Sequence, residues 1–252
     1  MQQMLFAVSL VLMLSAMGCN SSPGPQPYPG TQDYPGPGGL TPKPYPGPQD
    51  SIPPVQPSAP TNTPSAFDNI LASAESAYQS GNLDQAIQIY SQAIQIHPNF
   101  ALPYYNRAIA YEDKGDLDQA LADYNKTIEI DPKYVRAYYN RGILYTKQGK
   151  YDQAIVDFTR ASETQPGEAV IYNNRGVAYE NQGNLDQAIS DYTKAIELNS
   201  TFANAFLNRG SAYRLKGSKD LAVADLETYL RLEPNASDRS TVEQLIRELK
   251  GQ

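Results

Sequence analysis

Arginine and aspartate recur in this sequence at a constant separation. Arg107, Arg141, Arg175 and Arg209 stand 34 residues apart, and sixteen residues after each comes Asp123, Asp157, Asp191 or Asp225. A guanidinium can clasp the carboxylate of a ligand through its planar fork, or it can be neutralised by an aspartate of its own chain. The stretch that carries Ser73 where the arginine is due also carries Ile89 where the aspartate is due. Arginine and aspartate are therefore present or absent together. That predicts four internal ion pairs, Arg107–Asp123, Arg141–Asp157, Arg175–Asp191 and Arg209–Asp225; arginines grasping an acidic ligand are the alternative.

An asparagine precedes every one of these arginines: Asn106, Asn140, Asn174 and Asn208. Asparagine is a mediocre helix former, so propensity does not explain the column. Its carboxamide donates and accepts, which suits hydrogen bonding to the backbone of an extended peptide. A bond to a neighbouring helix or to water is the structural alternative. Other chemistry is scarce. Histidine occurs once, at His97, and cysteine once, at Cys19. One residue of each cannot fill a zinc cage, and a histidine relay would rest on His97 alone, beside Pro98 at a helix end. No catalytic residue, metal or cofactor is assigned, and no small-molecule substrate is expected. The net charge of −7, with a pI near 4.8, argues against nucleic acid, whose phosphates need a cationic face.

These side chains must be positioned by repeated elements. From Phe67 onward the chain falls into blocks of 34: 67–100, 101–134, 135–168, 169–202 and 203–236. Gly81, Gly115, Gly149, Gly183 and Gly217 align, as do Ala86, Ala120, Ala154, Ala188 and Ala222. Pro98, Pro132, Pro166 and Pro234 share another column, broken only by Ser200. In the third block Tyr138, Arg141, Gly142 and Tyr145 recur at helical spacing, then Gly149 permits a turn, and Ala154, Ile155, Phe158 and Ala161 mark a second helix that Pro166 ends. This pattern resembles the tetratricopeptide repeat (TPR), a pair of antiparallel helices of that length. The resemblance implies an all-α solenoid of five helix-turn-helix repeats over residues 66–236. Residues 237–252 continue as an amphipathic segment, with Val242, Leu245, Ile246 and Leu249 on one stripe, expected to cap the last repeat. Ser240 and Glu243 have the spacing of a capping box at its start. Eleven helices are expected.

In an antiparallel pair, facing residues have a constant sum of numbers. Pairing Gly142 with Ala154 also pairs Tyr138 with Phe158 and Tyr145 with Tyr151, and it leaves Asp157 within reach of Arg141. The asparagine, about 100° round the helix from the arginine, then points to the inner side of the superhelix. Its neighbours there are Leu102, Tyr105 and Ile109, then Arg136, Tyr139 and Ile143, then Asn173, Val177 and Glu180, then Asn204, Leu207 and Arg214. Of these, Tyr105, Tyr139, Arg136, Ile109, Ile143 and Val177 join the four asparagines as candidate contacts to a bound peptide or partner helix. The carboxylate-clamp TPRs of heat-shock co-chaperones need basic residues where the first block has Leu71 and Glu75, so an acidic chaperone tail is not the expected ligand.

Ahead of the array, residues 5–17 read LFAVSLVLMLSAM, an apolar run of signal-peptide length rather than the roughly 20 residues of a span. It leads to AMGCNSS, which resembles a bacterial lipoprotein signal. That resemblance makes residues 1–18 a signal peptide and Cys19 the lipidated first residue of an envelope protein anchored on the periplasmic face of a membrane. A plain secretory signal, giving a secreted protein, is the alternative. Residues 19–65 hold most of the prolines, 15 of 20 between Pro23 and Pro64, and are expected to form a disordered, extended spacer. The function expected is a non-catalytic protein-interaction scaffold or adaptor. A self-assembling array and an accessory envelope enzyme are the alternatives.

Overall fold

A computed structural model describes residues 65–251. The signal segment, Cys19 and the spacer lie outside the described residues, apart from Ser65. Within them the chain is helical throughout: α1 (Ala66–Gln79), α2 (Leu83–Ile96), α3 (Ala101–Lys114), α4 (Leu117–Ile130), α5 (Val135–Lys147), α6 (Tyr151–Thr164), α7 (Ala169–Asn181), α8 (Leu185–Leu198), α9 (Ala203–Leu215), α10 (Lys219–Leu232) and α11 (Arg239–Lys250). Odd-numbered helices are the first of each repeat and even-numbered ones the second.

The start and the turns follow from local chemistry. Ser65 caps α1: its hydroxyl accepts from the Asp68 N–H while the Asp68 carboxylate accepts from the Ser65 N–H. Between the two helices of each repeat the aligned glycine sits in the left-handed region, at φ +71° for Gly149 and up to +88° for Gly115 and Gly183. A side chain with a Cβ is strained there, which explains why only glycine occupies the column. Between repeats, where Ser200 replaces the proline, the Asn199 Oδ1 accepts from the Thr201 N–H and hydroxyl, as Asp131 accepts from the Lys133 N–H around Pro132.

Each helix packs against the next in sequence, first against second within a repeat and second against first between repeats. In addition α5 meets α7 and α7 meets α9. The first helices thus approach one another more closely than the second helices do, so they form the inner, concave side of the stack. Small residues set the helix pairs close. A Cβ added at Gly142 would come within 2.9 Å of the Phe158 ring, and one at Gly176 within 2.7 Å of the Tyr192 ring. The buried second-helix aromatics Tyr90, Tyr124, Phe158, Tyr192 and Tyr229 form the core of the successive repeats. Their burial is the main stabilising term, and no repeat completes it without its neighbour.

Two local expectations need correction. The ring that pairs with Phe158 is Tyr139, at 5.9 Å between centroids; Tyr138 packs on the same core and stands over the Arg141 guanidinium at 5.7 Å. The constant-sum rule treats facing residues as points, whereas a long tyrosine reaches past its own turn. The capping box at α11 does not form either. Asp238 takes the N-cap position without a side-chain bond, so Ser240 falls inside the helix, and Glu243 pairs instead with Arg239 at 2.8 Å. Asp238 is drawn into place by Tyr229, whose hydroxyl donates to it at 2.7 Å. Helix α11 does cap the array: Val242 and Ile246 are buried with Leu207, Leu226, Tyr229 and Ala236.

Replacing Gly176 with alanine is expected to lower the free energy of unfolding by about 1–2 kcal/mol, because the Tyr192 ring is enclosed and cannot yield. Gly210→Ala meets the more pliant Leu226 at 3.1 Å. Its gain in helix propensity, about 1 kcal/mol, should leave it within about 0.5 kcal/mol of the parent. Urea unfolding of both variants checks the order.

Candidate partner-binding face

The four arginines do not reach for a ligand. Each points its Nε and one terminal nitrogen at the aspartate sixteen residues on, in a two-pronged bond of 2.7–2.9 Å: Arg107 to Asp123, Arg141 to Asp157, Arg175 to Asp191 and Arg209 to Asp225. The aspartate side chains are 2–9% exposed and the arginines 16–18%, so the pairs are largely desolvated. Burial pushes the Asp157 carboxyl above its ordinary value against the opposing pull of Arg141. The fork therefore offsets a desolvation cost more than it adds net stability.

The remaining terminal nitrogen, which the sequence reading missed, goes backwards. It donates to Ser91, Asn125, Thr159 and Thr193 respectively, on the second helix of the preceding repeat, at 2.6–3.2 Å. Aromatic rings lie against each guanidinium: Tyr104 and Tyr111, Tyr138 and Tyr145, Tyr172, then Phe206 and Tyr213, at 5.4–5.8 Å. The signal was present in the sequence as a polar residue sixteen places before every arginine. It escaped notice because serine, asparagine and threonine do not look like one column.

The asparagines lie beside the inner face, where they form a ladder between repeats. Asn140 donates to the Tyr105 hydroxyl at 3.1 Å, Asn174 to the Tyr139 hydroxyl at 2.7 Å and Asn208 to the Asn173 carbonyl oxygen at 3.0 Å. Asn106, which follows the repeat with Leu71 at that place, makes no such bond among the described residues. Burial pushes the Tyr105 and Tyr139 phenols above their ordinary range, so both stay neutral and can accept the amide. Each bonded carboxamide keeps further donor and acceptor capacity. Ile109, Ile143 and Val177 form a buried apolar strip beside the ladder, and Arg136 is half-buried in the same face.

A second pattern crosses this face. Tyr124 donates to Glu112 at 3.0 Å and Tyr192 to Glu180 at 2.7 Å. In the third repeat both change together, to Phe158 and Thr146, and in the fifth to Leu226 and Arg214. From the second repeat to the fifth the acid at this place therefore accompanies the hydroxyl; in the first, Tyr78 holds the place and Tyr90 donates instead to Glu75 at 3.1 Å. Burial pushes the Glu180 carboxyl up to about 7, against the lowering effects of Tyr192, Ser211 and Arg214. Burial likewise raises Asp113 to about 6, opposed by the hydroxyl of Tyr78. Among the described residues no cluster of histidine, cysteine and carboxylate side chains could hold a metal, and no helix is long and apolar enough to cross a membrane. His97 lies against Phe67, edge to face at 4.5 Å, at the outer end of α2.

The family comparison settles what kind of array this is. Family models described as TPR repeat match residues 75–115 and 110–149, and models described as tetratricopeptide repeat match 135–167, 169–202 and 203–236. The chain is a tetratricopeptide repeat protein. Similar solved structures include MamA, 27% identical with a TM-score of 0.62, covering 64% of this chain and 94% of its own. YrrB, described as a TPR protein with an unusual peptide-binding site, is 20% identical with a TM-score of 0.63 over 72% of this chain and all of its own. PilW, a type IV pilus biogenesis factor, is 18% identical with a TM-score of 0.65 over 75% of this chain and 88% of its own. No curated protein matches the sequence. As a TPR solenoid, the array is a protein–protein interaction scaffold.

Two outcomes are expected of this face. Arg141→Met and Asp157→Asn should each destabilise by roughly 2–4 kcal/mol, and the double variant by less than their sum, with a coupling of about 1–3 kcal/mol in urea titrations. Additive losses would show that the fork is not a unit. For Glu180 the folded value of about 7 lies above the ordinary 4.5, so the native state holds the extra proton between those limits. Its contribution is full below pH ~4.5 and is lost as pH rises through ~7, a span worth at most about 3 kcal/mol. Glu180→Gln should flatten that part of the stability profile.

Proposed function

We propose that this chain is a membrane-anchored, non-catalytic adaptor of the bacterial envelope. Its five repeats hold a peptide segment or helix of a partner protein along the concave face. A lipid on Cys19 tethers it to the periplasmic face of a membrane, and the proline-rich residues 19–65 act as the spacer that lifts the array off the bilayer. Support for the anchor is the apolar run ending in Gly18-Cys19.

One observation carries the binding role: around the constant asparagine column, the inner face does not repeat as the scaffold does. The columns of the arginine fork, the close-packing glycine and the helix-pairing alanine are nearly uniform over the last four repeats. The columns beside the asparagines on the concave side vary along the array. One runs Asp68, Leu102, Arg136, Val170, Asn204, and another Glu75, Ile109, Ile143, Val177, Ser211. A face that only stacked repeats would repeat with them. This one runs from Leu102 and Ile109 in the second repeat, through Arg136 beside Ile143 in the third and Val170 and Val177 in the fourth, to polar Asn204 and Ser211 in the fifth, as a surface fitted to one particular partner segment does.

Affinity capture with the full chain tests this, run beside a variant in which Asn106, Asn140 and Asn174 are alanine and whose helicity is confirmed by circular dichroism. The variant is expected to lose its specific partner; equal capture by both would move the site off the ladder. Cys19→Ser should release the protein from membranes, and continued membrane partition would contradict lipid anchoring.

A further inference from the structure

Glu112 and Glu180 hold the same place on α3 and α7, and each gives Oε2 to the tyrosine of its own repeat. They differ at the other oxygen. Glu112 Oε1 accepts from the Lys147 ammonium at 2.7 Å, reaching across from α5 of the next repeat. The residue that corresponds to Lys147 beyond Glu180 is Leu215 on α9, 45% exposed and unable to donate. Glu180 is only 6% exposed, and its Oε1 is buried without a well-formed hydrogen bond. Ser211 and Arg214 on α9 face it and favour its charged form, yet Arg214 makes no ion pair with it, and its own Nε is likewise buried and unbonded. One carboxylate thus has its ammonium and the equivalent one has lost it. Lys147 is itself 23% exposed where it meets Glu112, which shows that an ammonium can arrive at this oxygen from the solvent side of the next first helix.

We propose that Glu180 is a lysine-recognition subsite: the ammonium of a lysine side chain on the bound partner segment takes the place that Lys147 takes on Glu112. This rests on reading the concave face as the partner-binding surface. The geometry of the second and third repeats supplies the template, and charge complementarity supplies the occupant. A buried carboxylate with one oxygen bonded to a phenol, the Ser211 hydroxyl as a weak further donor and no ammonium at its other oxygen gains most from a compact cation with several donors. Exposed Leu215 offers an apolar surface for the methylene stem of that lysine. The overall charge of −7 favours approach of a cationic segment.

Two measurements on the full chain test the subsite. The first uses fluorescein-labelled peptide pools, randomised except for one fixed central residue that is lysine, glutamine or glutamate. The wild type is expected to bind the lysine pool roughly tenfold more tightly than the glutamine pool. Glu180→Gln, which removes the charge, and Leu215→Lys, which fills the site from within, should both abolish that preference while keeping helicity. The second follows the Glu180 side-chain carboxyl by carbon-13 NMR in n-butylammonium chloride or sodium chloride at matched ionic strength. The ammonium should lower the Glu180 titration by about one unit in the wild type and leave Leu215→Lys unmoved. Equal binding of all pools, or a lysine preference that survives Glu180→Gln, overturns the subsite and leaves the groove standing. Binding of no pool overturns the groove reading instead. The NMR arm does not depend on that reading: an unmoved Glu180 in n-butylammonium overturns the subsite on its own.

Discussion

Each of the four arginines ties three helices together, and the array depends on that junction. The guanidinium has donors on fixed directions in one plane, and here all three nitrogens donate. Two nitrogens grip the aspartate of the repeat's second helix, and the third reaches the preceding repeat's second helix. Aromatic rings lie against its face, which keeps the charge in an environment poor in water. A lysine could not replace it, because a point charge cannot hold three partners in one plane. The junction has little net worth in stability, yet it sets the spacing and rotation between repeats, because a desolvated fork has one good geometry.

A junction that uses backbone-independent side chains on the inner helices leaves their concave surface free to vary. The first repeat illustrates the converse. It lacks arginine and aspartate, and with Ile70 and Ala77 it also lacks the aromatic pair. Ser73 turns its hydroxyl back to the Asn69 carbonyl and Ile89 joins the apolar contacts instead. No repeat precedes it among the described residues, so a tie reaching backwards has nothing to hold there. The pairing of acid with tyrosine hydroxyl is a second rule of the same kind. It links a residue of the groove to the core beneath, and from the second repeat to the fifth it accounts for Glu112 and Glu180 alternating with Thr146 and Arg214.

Much of this was legible in the sequence. The 34-residue period, the aligned glycines and the helical stripes gave the fold, its repeats and the terminal cap, because each is a local rule applied five times. The arginine–aspartate pairs were legible for a different reason: their joint absence from one block acts as an internal control. The asparagines were harder. The column is plain and its direction follows from the helix pitch. The partner of each amide is the preceding repeat's tyrosine or asparagine, 35 residues away, and that required two neighbouring repeats to be set in space. The backward bond of each arginine was hidden similarly, by a column in which the residue types differ and only the hydrogen-bonding capacity is shared.

The sequence by itself determined the kind of molecule, since periodicity, turn residues and small-residue columns are properties of each repeat alone. Tertiary structure decided which polar groups are already satisfied and which are left over. That decision lies in the step from one repeat to the next. The same carboxylate meets an ammonium in one repeat and an exposed leucine in another, so its chemistry is set by what the following helix brings within hydrogen-bonding distance.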